Sequence, residues 1–344
     1  MKVELRTFEV RLARPLLTAR GAISSRRCVG LRVSDRSTSG FGEASPLPGW
    51  TEPYGRCLRT LAALETDRIL THPLPVHRPA ARHALQLATI DLAARRVDTT
   101  LARYLRPDAA RTIPLNATIG ARTEQDAVEA AICAVDRGFP AIKCKVGADS
   151  IATDIARIRA IRNAVGDDVE LRIDANRSWT PSEAGTALGR LVTYDVAYVE
   201  EPVQSPDPSV LASLAEQGVP IAADETVNTG EFSIRELAAG IDVVVIKPMS
   251  IGGLDRALAA VRTARSFGIV PVISGTIDSV VGRTAAVHLA AVATPNTPAG
   301  LATAQWIDSE PGREPITIED GHALLPSASG LGTQGPWDEP EVPR

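Results

Sequence analysis

The chain has 344 residues, 44% of them apolar and 23% charged, and a formal net charge of −4; that is enough chain for one large domain plus a smaller one. The balance gives no electrostatic case for nucleic acid, and no Lys/Arg block reads as a basic tail. Cys28, Cys57, Cys133 and Cys144 form no CxxC pair and no His cluster accompanies them, which argues against zinc, while the absence of an apolar run near ~18 residues and of a signal-peptide core in MKVELRTFEVRLARP predicts a cytoplasmic protein without membrane contact.

Residues 1–110 read as an α+β segment. VELRTFEVRL and CVGLRVSDRSTSGFGEASP alternate as antiparallel strands do, with a turn in SDRSTSG, and YGRCLRTLAALETDRIL and PAARHALQLATIDLAARRV have helical spacing. YLRPDAARTIP is the expected link to the second, longer segment. From 111 to 307, short β-branched runs alternate with helical stretches. The runs are TIPLNATIG, AIKCKVG, VELRIDAN, VAYVEEPV, VPIAADETV, DVVVIKPM, VPVISGTI and GLATAQWI. Between them lie stretches such as TEQDAVEAAICAVDRG, IATDIARIRAIRNAVG and LDRALAAVRTARSFG, several closed by the Gly that stops helices. Strand alternating with helix predicts parallel strands joined by crossover helices, and this number of them over roughly 200 residues predicts a closed α/β barrel. An open doubly wound sheet would want a Gly-rich phosphate turn after its first strand, which NATIGARTEQ lacks. The tail, 308–344, is rich in Pro and Gly. Part of it is expected to join the first segment, and TQGPWDEPEVPR is expected to be disordered.

Lysine is scarce. Of 37 basic residues only Lys2, Lys143, Lys145 and Lys247 are lysine. A guanidinium stays protonated in any protein, whereas an amine can give up its proton, so lysine where arginine is the default suggests a general base. These lysines fall in a larger order. Lys143 and Lys145, then Asp174 and Asn176, Glu200 and Glu201, Asp224 and Glu225, Lys247, and finally Ser274, Gly275 and Thr276 stand at the C-terminal ends of successive strands. The steps from Lys145 to Asp174, Glu200, Asp224 and Lys247 are 29, 26, 24 and 23 residues, each about one βα unit. Five consecutive strands thus put an ionisable group on the rim where barrel active sites lie. A single acid there is more often a cap or a solvated loop residue. An ordered run of lysine, three acids and lysine is not explained that way. Three converging carboxylates repel unless a cation holds them, and oxygen-only ligation suits Mg²⁺, with Mn²⁺ as a substitute. Alternation puts Lys143 and Lys145 on one side of the sheet, and prevents Glu200 and Glu201, or Asp224 and Glu225, from both pointing inward.

KxK on the second strand, DAN on the third, EEP on the fourth, ADE on the fifth and IKP on the sixth together resemble the enolase superfamily, muconate-lactonizing subgroup. The resemblance covers nearly the whole chain. It implies a modified (β/α)7β TIM barrel (111–307) behind an N-terminal α+β capping domain (1–110). It further implies Asp174, Glu200 and Asp224 as metal ligands, Lys145 as base on one face of the substrate, and Lys247 on the opposite face. Lys143 would help hold a substrate carboxylate. GFGEASPLPGWTEP, and SGTIDSVVGRTAAVHLAAV with GLATAQW, resemble o-succinylbenzoate synthases. This implies Mg²⁺-dependent dehydration of 2-succinyl-6-hydroxy-2,4-cyclohexadiene-1-carboxylate to 2-succinylbenzoate in menaquinone biosynthesis, a carbon–oxygen lyase reaction. Ser274, Gly275 and Thr276 would contact that substrate, and Asn176 would hydrogen-bond either the substrate or a metal ligand. The chain departs from the synthases in having Ser274-Gly275 and Asp278 where they often have a Ser–Ser pair and a Glu. N-succinylamino acid racemases share the same catalytic set. The alternative is therefore a racemase or epimerase in which Lys145 and Lys247 exchange protons on opposite faces. Either way the expected partner is a small-molecule carboxylate.

Other polar residues have plainer explanations. Glu225 reads as a support to a ligand or a loop ion pair. Trp50 and Arg20 lie in segments able to close over the barrel mouth, but as types they read as a packed Trp and a surface Arg. His288 falls in an apolar helical run and reads as core, and alternation turns Cys144 away from the two lysines.

Overall fold

The computed structural model describes residues 1–18, 21–64, 77–120 and 123–338. The chain begins with β1 (Lys2–Thr18), β2 (Gly21–Ser34) and β3 (Ser39–Ala44), followed by α1 (Tyr54–Ala62), α2 (Pro79–Arg96) and α3 (Leu101–Leu105). The expected antiparallel pairs form, with the turn at 35–38. The last six residues of the first predicted helix, 65–70, lie outside the described residues. Helix α2 rests closely on β3 because Gly40 and Gly42 leave room. A Cβ at these positions would sit 2.2 Å from Ala88 O and 2.0 Å from Ala84 O.

Strands then alternate with helices: β4 (Thr112–Pro114), β5 (Asn116–Ile119), α4 (Glu124–Asp136), β6 (Ala141–Lys145), α5 (Ile151–Val165), β7 (Glu170–Asp174), α6 (Pro181–Leu191) and β8 (Val196–Glu200). They continue with α7 (Pro208–Ala215), β9 (Ile221–Ala223), α8 (Glu225–Asn228), α9 (Ile234–Leu237), β10 (Val243–Ile246), α10 (Pro248–Ile251), α11 (Leu254–Ser266), β11 (Val270–Ile273) and α12 (Val280–Ala293). Local chemistry sets these ends. Thr180 caps α6 in a capping box with Glu183, Ser150 and Thr123 cap α5 and α4, and Gly166 ends α5 at φ 76°. Among the described residues β5 to β11 form one parallel sheet in chain order. Its strands are covered on both faces, so they read as apolar runs, Val243–Ile246 being buried throughout. In β6 the alternation shows through: Ile142 and Cys144 are buried while Lys143 and Lys145 are half-buried.

The last expected strand, GLATAQWI, differs from the prediction. Only its start joins the sheet, yet it touches both edges. Asn116 N donates to Ala299 O at 3.0 Å, Ala299 N to Pro114 O at 2.9 Å, and Gly300 N to Ile273 O at 2.9 Å. A Cβ on Gly300 would lie 2.7 Å from Ser274 Oγ, so the close approach needs glycine. Residues 304–306 then turn in a short 3-10 helix, and β12 (Ile307–Ser309) pairs with β1 in a sheet ordered β12-β1-β2-β3. β13 (Thr317–Glu319) and β14 (His322–Leu324) form a small sheet with β4.

The expectation of a disordered TQGPWDEPEVPR is corrected for the part described. Trp337 packs on Phe41, ring centroids 5.7 Å apart, with the Arg6 and Arg32 guanidinium carbons each 5.4 Å from its ring centroid. Residues 339–344 lie outside the described residues. Among the described residues no helix is long and apolar enough to cross a membrane.

Candidate active site

Parallel register aligns the polar strand ends. Lys145 on β6 stands opposite Asp174 on β7, and Asp174 opposite Glu200 on β8. Asp224 follows β9 and Lys247 follows β10 directly. The row therefore runs lysine, three carboxylates, lysine across five neighbouring strands, as the spacing predicted.

The three carboxylates are buried, each at 1% exposure or less. Their oxygens meet the ammonium groups. Lys143 Nζ donates to Glu200 Oε1 and Oε2 at 2.8 and 2.9 Å and lies 2.9 Å from Asp174 Oδ2. Lys145 Nζ donates to Asp174 Oδ2 at 2.7 Å and to Asn176 Oδ1 at 2.5 Å. Lys247 Nζ pairs with Asp224 Oδ2. The lysines thus approach the row from both flanks.

Charge and burial compete here. Burial raises the Asp174 pKa, but Lys143 and Lys145 more than offset it and hold the group well below the usual carboxylate range. Glu200 is pushed up by burial and by the charge of Asp174, against the pull of Lys143. Asp224 is pushed well up by burial, and Glu225 and Glu200 add to that against Lys247. Burial works against charge on Lys143 and Lys247, yet the carboxylates around them raise both.

Residues around the row hold these groups in place, and among them the sequence singled out Glu201, Asn176 and Glu225 but not Asn228. Asn228 is the most connected. Its Nδ2 donates to Asp224 Oδ1 at 2.9 Å, Asp224 O at 2.9 Å and Val245 O at 2.8 Å, while its Oδ1 accepts from Lys247 N at 2.8 Å. Glu201 turns out of the row at φ 41°. Its Oε1 accepts from Asp224 N and Thr226 N, both at 2.8 Å, and Arg177 pairs with its Oε2 at 3.0 Å. This confirms that Glu200 and Glu201 point different ways. Asn176 bridges Lys145 and Glu225, its Nδ2 donating to Glu225 Oε1 at 3.0 Å. Glu225 Oε2 is buried without a hydrogen-bond partner.

The N-terminal segment contributes more than its residue types suggested. The Trp50 ring lies over Lys247, with Nζ 4.1 Å from the ring centroid, so this Trp is part of the site and not only packing. Arg20 lies outside the described residues. Ser274 N donates to Ile246 O at 3.0 Å, which sets the loop after β11 beside the strand that ends in Lys247. Ser274 Oγ donates to Gly300 O at 3.1 Å, and Thr276 Oγ1 to Asp278 Oδ1 at 2.5 Å. His288 is core, as expected. Its Nδ1 accepts from Ala102 N at 3.1 Å, and burial lowers its pKa to about 4. Cys144 is 1% exposed and turned from the lysines.

Among the described residues no three His, Cys, Asp or Glu side chains are already gathered as a formed metal site. The donor set nonetheless fits a hard divalent cation. It is three buried carboxylates on neighbouring strand ends, without nitrogen or sulfur donors, and each is now paired with an ammonium group.

Strand-end chemistry of this kind, on a parallel sheet preceded by an antiparallel one, agrees with what comparison with known proteins finds. Residues 126–339 match the family model described as enolase C-terminal domain-like, and the chain belongs to the enolase superfamily. A hydrophobic dipeptide epimerase from Enterococcus faecalis is 30% identical over 349 residues, 96% of this chain and 98% of that protein. The substrate-liganded L-Ala-D/L-Glu epimerase from Bacillus subtilis superposes with a TM-score of 0.87 at 28% identity, covering 97% and 98% of the two chains. The Enterococcus faecalis dipeptide epimerase complexed with Mg and the dipeptide L-Leu-L-Tyr gives 0.86 at 29%, over 96% and 98%. An o-succinylbenzoate synthase from Enterobacter is 33% identical over 311 residues, 87% of this chain and 90% of that one. The resemblance to synthases is therefore real but shared, and the epimerases match over more of the chain. The expected lyase gives way to an isomerase as the better-supported class.

Proposed function

We propose that this protein is a Mg²⁺-dependent epimerase or racemase acting at a carbon α to a carboxylate, on an N-acylated amino acid such as a dipeptide. We assign the chemistry to a (β/α)7β barrel at 111–307 and the mouth to a cap formed by 1–110 with part of 308–344. One observation carries the reading: a lysine stands on each flank of the carboxylate row, where inversion needs one proton carrier per face. In the amine form Lys145 takes the α-proton from one face, and Lys247, as an ammonium, delivers a proton to the other. The roles reverse for the opposite epimer. Lys143 pairs with the substrate carboxylate, and Asn176 holds the Lys145 amine. Asp174, Glu200 and Asp224 would hold Mg²⁺, which when bound supplies positive charge to the substrate carboxylate as its α-proton leaves. Ser274, Gly275 and Thr276 contact the rest of the substrate, and Trp50 roofs it.

Dehydration to 2-succinylbenzoate is the second reading, favoured by the synthase relative. There Lys145 both removes the α-proton and protonates the leaving hydroxyl, and Lys247 acts only as a fixed cation. The test incubates the protein with Mg²⁺ in D₂O with each epimer of a panel of dipeptides and N-succinylamino acids, and separately with the cyclohexadiene precursor. Deuterium incorporation with inversion supports the proposal. Ultraviolet growth of the aromatic product with no inversion of any amino acid derivative would replace it by the second reading.

A further inference from the structure

A second buried polar cluster lies outside the lysine–carboxylate row, where the cap sheet meets the loop 274–279 between β11 and α12. Glu43 on β3 has no exposed surface. Its Oε1 accepts from Ser279 N at 2.8 Å and its Oε2 from Gly282 N at 2.7 Å, while the Ser279 and Ser45 hydroxyls donate to the same carboxylate. The carboxylate thus satisfies amides of the first turn of α12, the helix end that favours negative charge. Close approach depends on Gly282, where a Cβ would lie 3.2 Å from Glu43 Oε2 and 2.7 Å from Asp278 Cβ.

Arg26 on β2 reaches the same loop and is 3% exposed. Its Nη1 donates to Thr276 O and, at 3.3 Å, to Ile277 O, while its Nη2 donates to Ser45 O at 2.6 Å. Between those two loop carbonyls the chain is strained. Ile277 has φ 59°, a left-handed conformation that a β-branched residue keeps only where its surroundings hold it. The grip on this loop therefore includes two buried charged side chains from the cap.

We infer that Arg26 and Glu43 are positioning residues: acting from the cap, they hold the strained 274–279 loop, so that docking of cap on barrel sets the substrate-facing edge made by Ser274, Gly275 and Thr276. The inference rests on the proposed function in one respect, that these three residues contact substrate. Neither Arg26 nor Glu43 touches the reacting atoms, so their loss is expected in KM more than in kcat.

The experiment compares Glu43→Gln and Arg26→Lys with Asp91→Asn. Asp91 is an equally buried carboxylate that accepts from Phe41 N and Leu331 N and has no contact with this loop, so it reports a merely structural loss. Each variant is measured for Tm, for kcat and KM of α-proton exchange, and for amide hydrogen exchange over residues 274–283. Glu43→Gln is expected to raise KM about tenfold, the size of one lost charge-assisted hydrogen bond, and to speed amide exchange in the loop. Arg26→Lys is expected to do the same more mildly, and it decides the matter if Glu43→Gln does not accumulate. Asp91→Asn is expected to lower Tm alone. A KM change no larger than that of Asp91→Asn, or unchanged loop exchange, would overturn the inference. If the wild-type protein exchanges no α-proton on any substrate, the proposed function falls, and amide exchange in the same variants still decides whether the cap holds the loop.

Discussion

Replacing Lys247 by arginine separates the two jobs proposed for that side chain. Arginine keeps a positive charge beside Asp224 and under the Trp50 ring, where the lysine ammonium now sits 4.1 Å from the centroid. A cation–π contact of this kind is worth about 0.5–2 kcal/mol, and a guanidinium makes it as well as an ammonium. Stability should therefore change by no more than about 1 kcal/mol, the scale of a conservative swap. Proton transfer is different, because the guanidinium does not deprotonate, and removing a positioned acid–base group costs about 10²–10⁴ in rate. The assay is deuterium uptake and inversion from each epimer, followed by mass spectrometry and chiral chromatography. The epimer whose α-proton faces Lys145 should still exchange, now with retention, since Lys145 takes the proton and returns deuterium to the same face. The other epimer should not exchange, and inversion should vanish in both directions. Dehydration of the cyclohexadiene precursor, which needs only a cation on that face, should suffer less. Near-normal inversion in Lys247→Arg, or equal loss of exchange from both epimers in a folded protein, would refute the two-base reasoning.

Three further outcomes are expected. Asn228→Ala should leave the Lys247 amide and the Val245 carbonyl unpaired, lowering stability in urea by about 2–4 kcal/mol and slowing inversion. Chelation should abolish exchange and added Mg²⁺ should restore it, while Asp174→Asn should weaken Mg²⁺ binding in calorimetry; undiminished exchange in excess chelator would remove the metal from the proposal. His288 makes a pH prediction. Burial lowers its pKa from 6.5 to about 4, so between those values the unfolded chain binds a proton that the folded chain refuses. Its contribution to stability is complete above pH 6.5 and shrinks by about 3 kcal/mol as pH falls to 4. His288→Asn, which keeps an acceptor for the Ala102 amide, should flatten that part of the urea-midpoint profile between pH 7 and 4.5.

What was legible in the sequence was what a repeated βα unit makes periodic. Because each strand and its return occupy about the same length, Lys145, Asp174, Glu200, Asp224 and Lys247 could be ordered along one rim before any contact was known. Alternation likewise separated Cys144 from its lysine neighbours and Glu200 from Glu201. Contacts made by residues outside that period were not legible. Asn228 ties Asp224 to Lys247, yet an Asn closing a short helix in ETVN carries no pattern of its own. Trp50 reaches Lys247 from a loop far away in sequence, and its residue type reads equally well as packing. The pairing of lysines with carboxylates follows from side-chain reach across the rim, which strand spacing does not encode. GLATAQWI misled for a related reason: its apolar content suggests one continuous strand, but the chain leaves the parallel sheet at the glycine and pairs with β1 instead.

The pairing of β12 with β1 has a consequence for how the molecule is made. The outer neighbour of β1 comes from the opposite end of the chain, at Ile307 and Ser309. At synthesis rates of about 5–20 residues per second, a ribosome needs roughly 15–60 s to deliver it after β1 has emerged. Throughout that interval the outer edge of β1 at Arg11 and Leu12 lacks its partner, and an unpaired strand edge invites pairing with another nascent chain. The composition of β1 answers the hazard: Lys2, Glu4, Arg6, Glu9, Arg11 and Arg14 space charges along it, and Pro15 removes an amide donor from the strand. Charged side chains along an edge strand disfavour its pairing with a second copy.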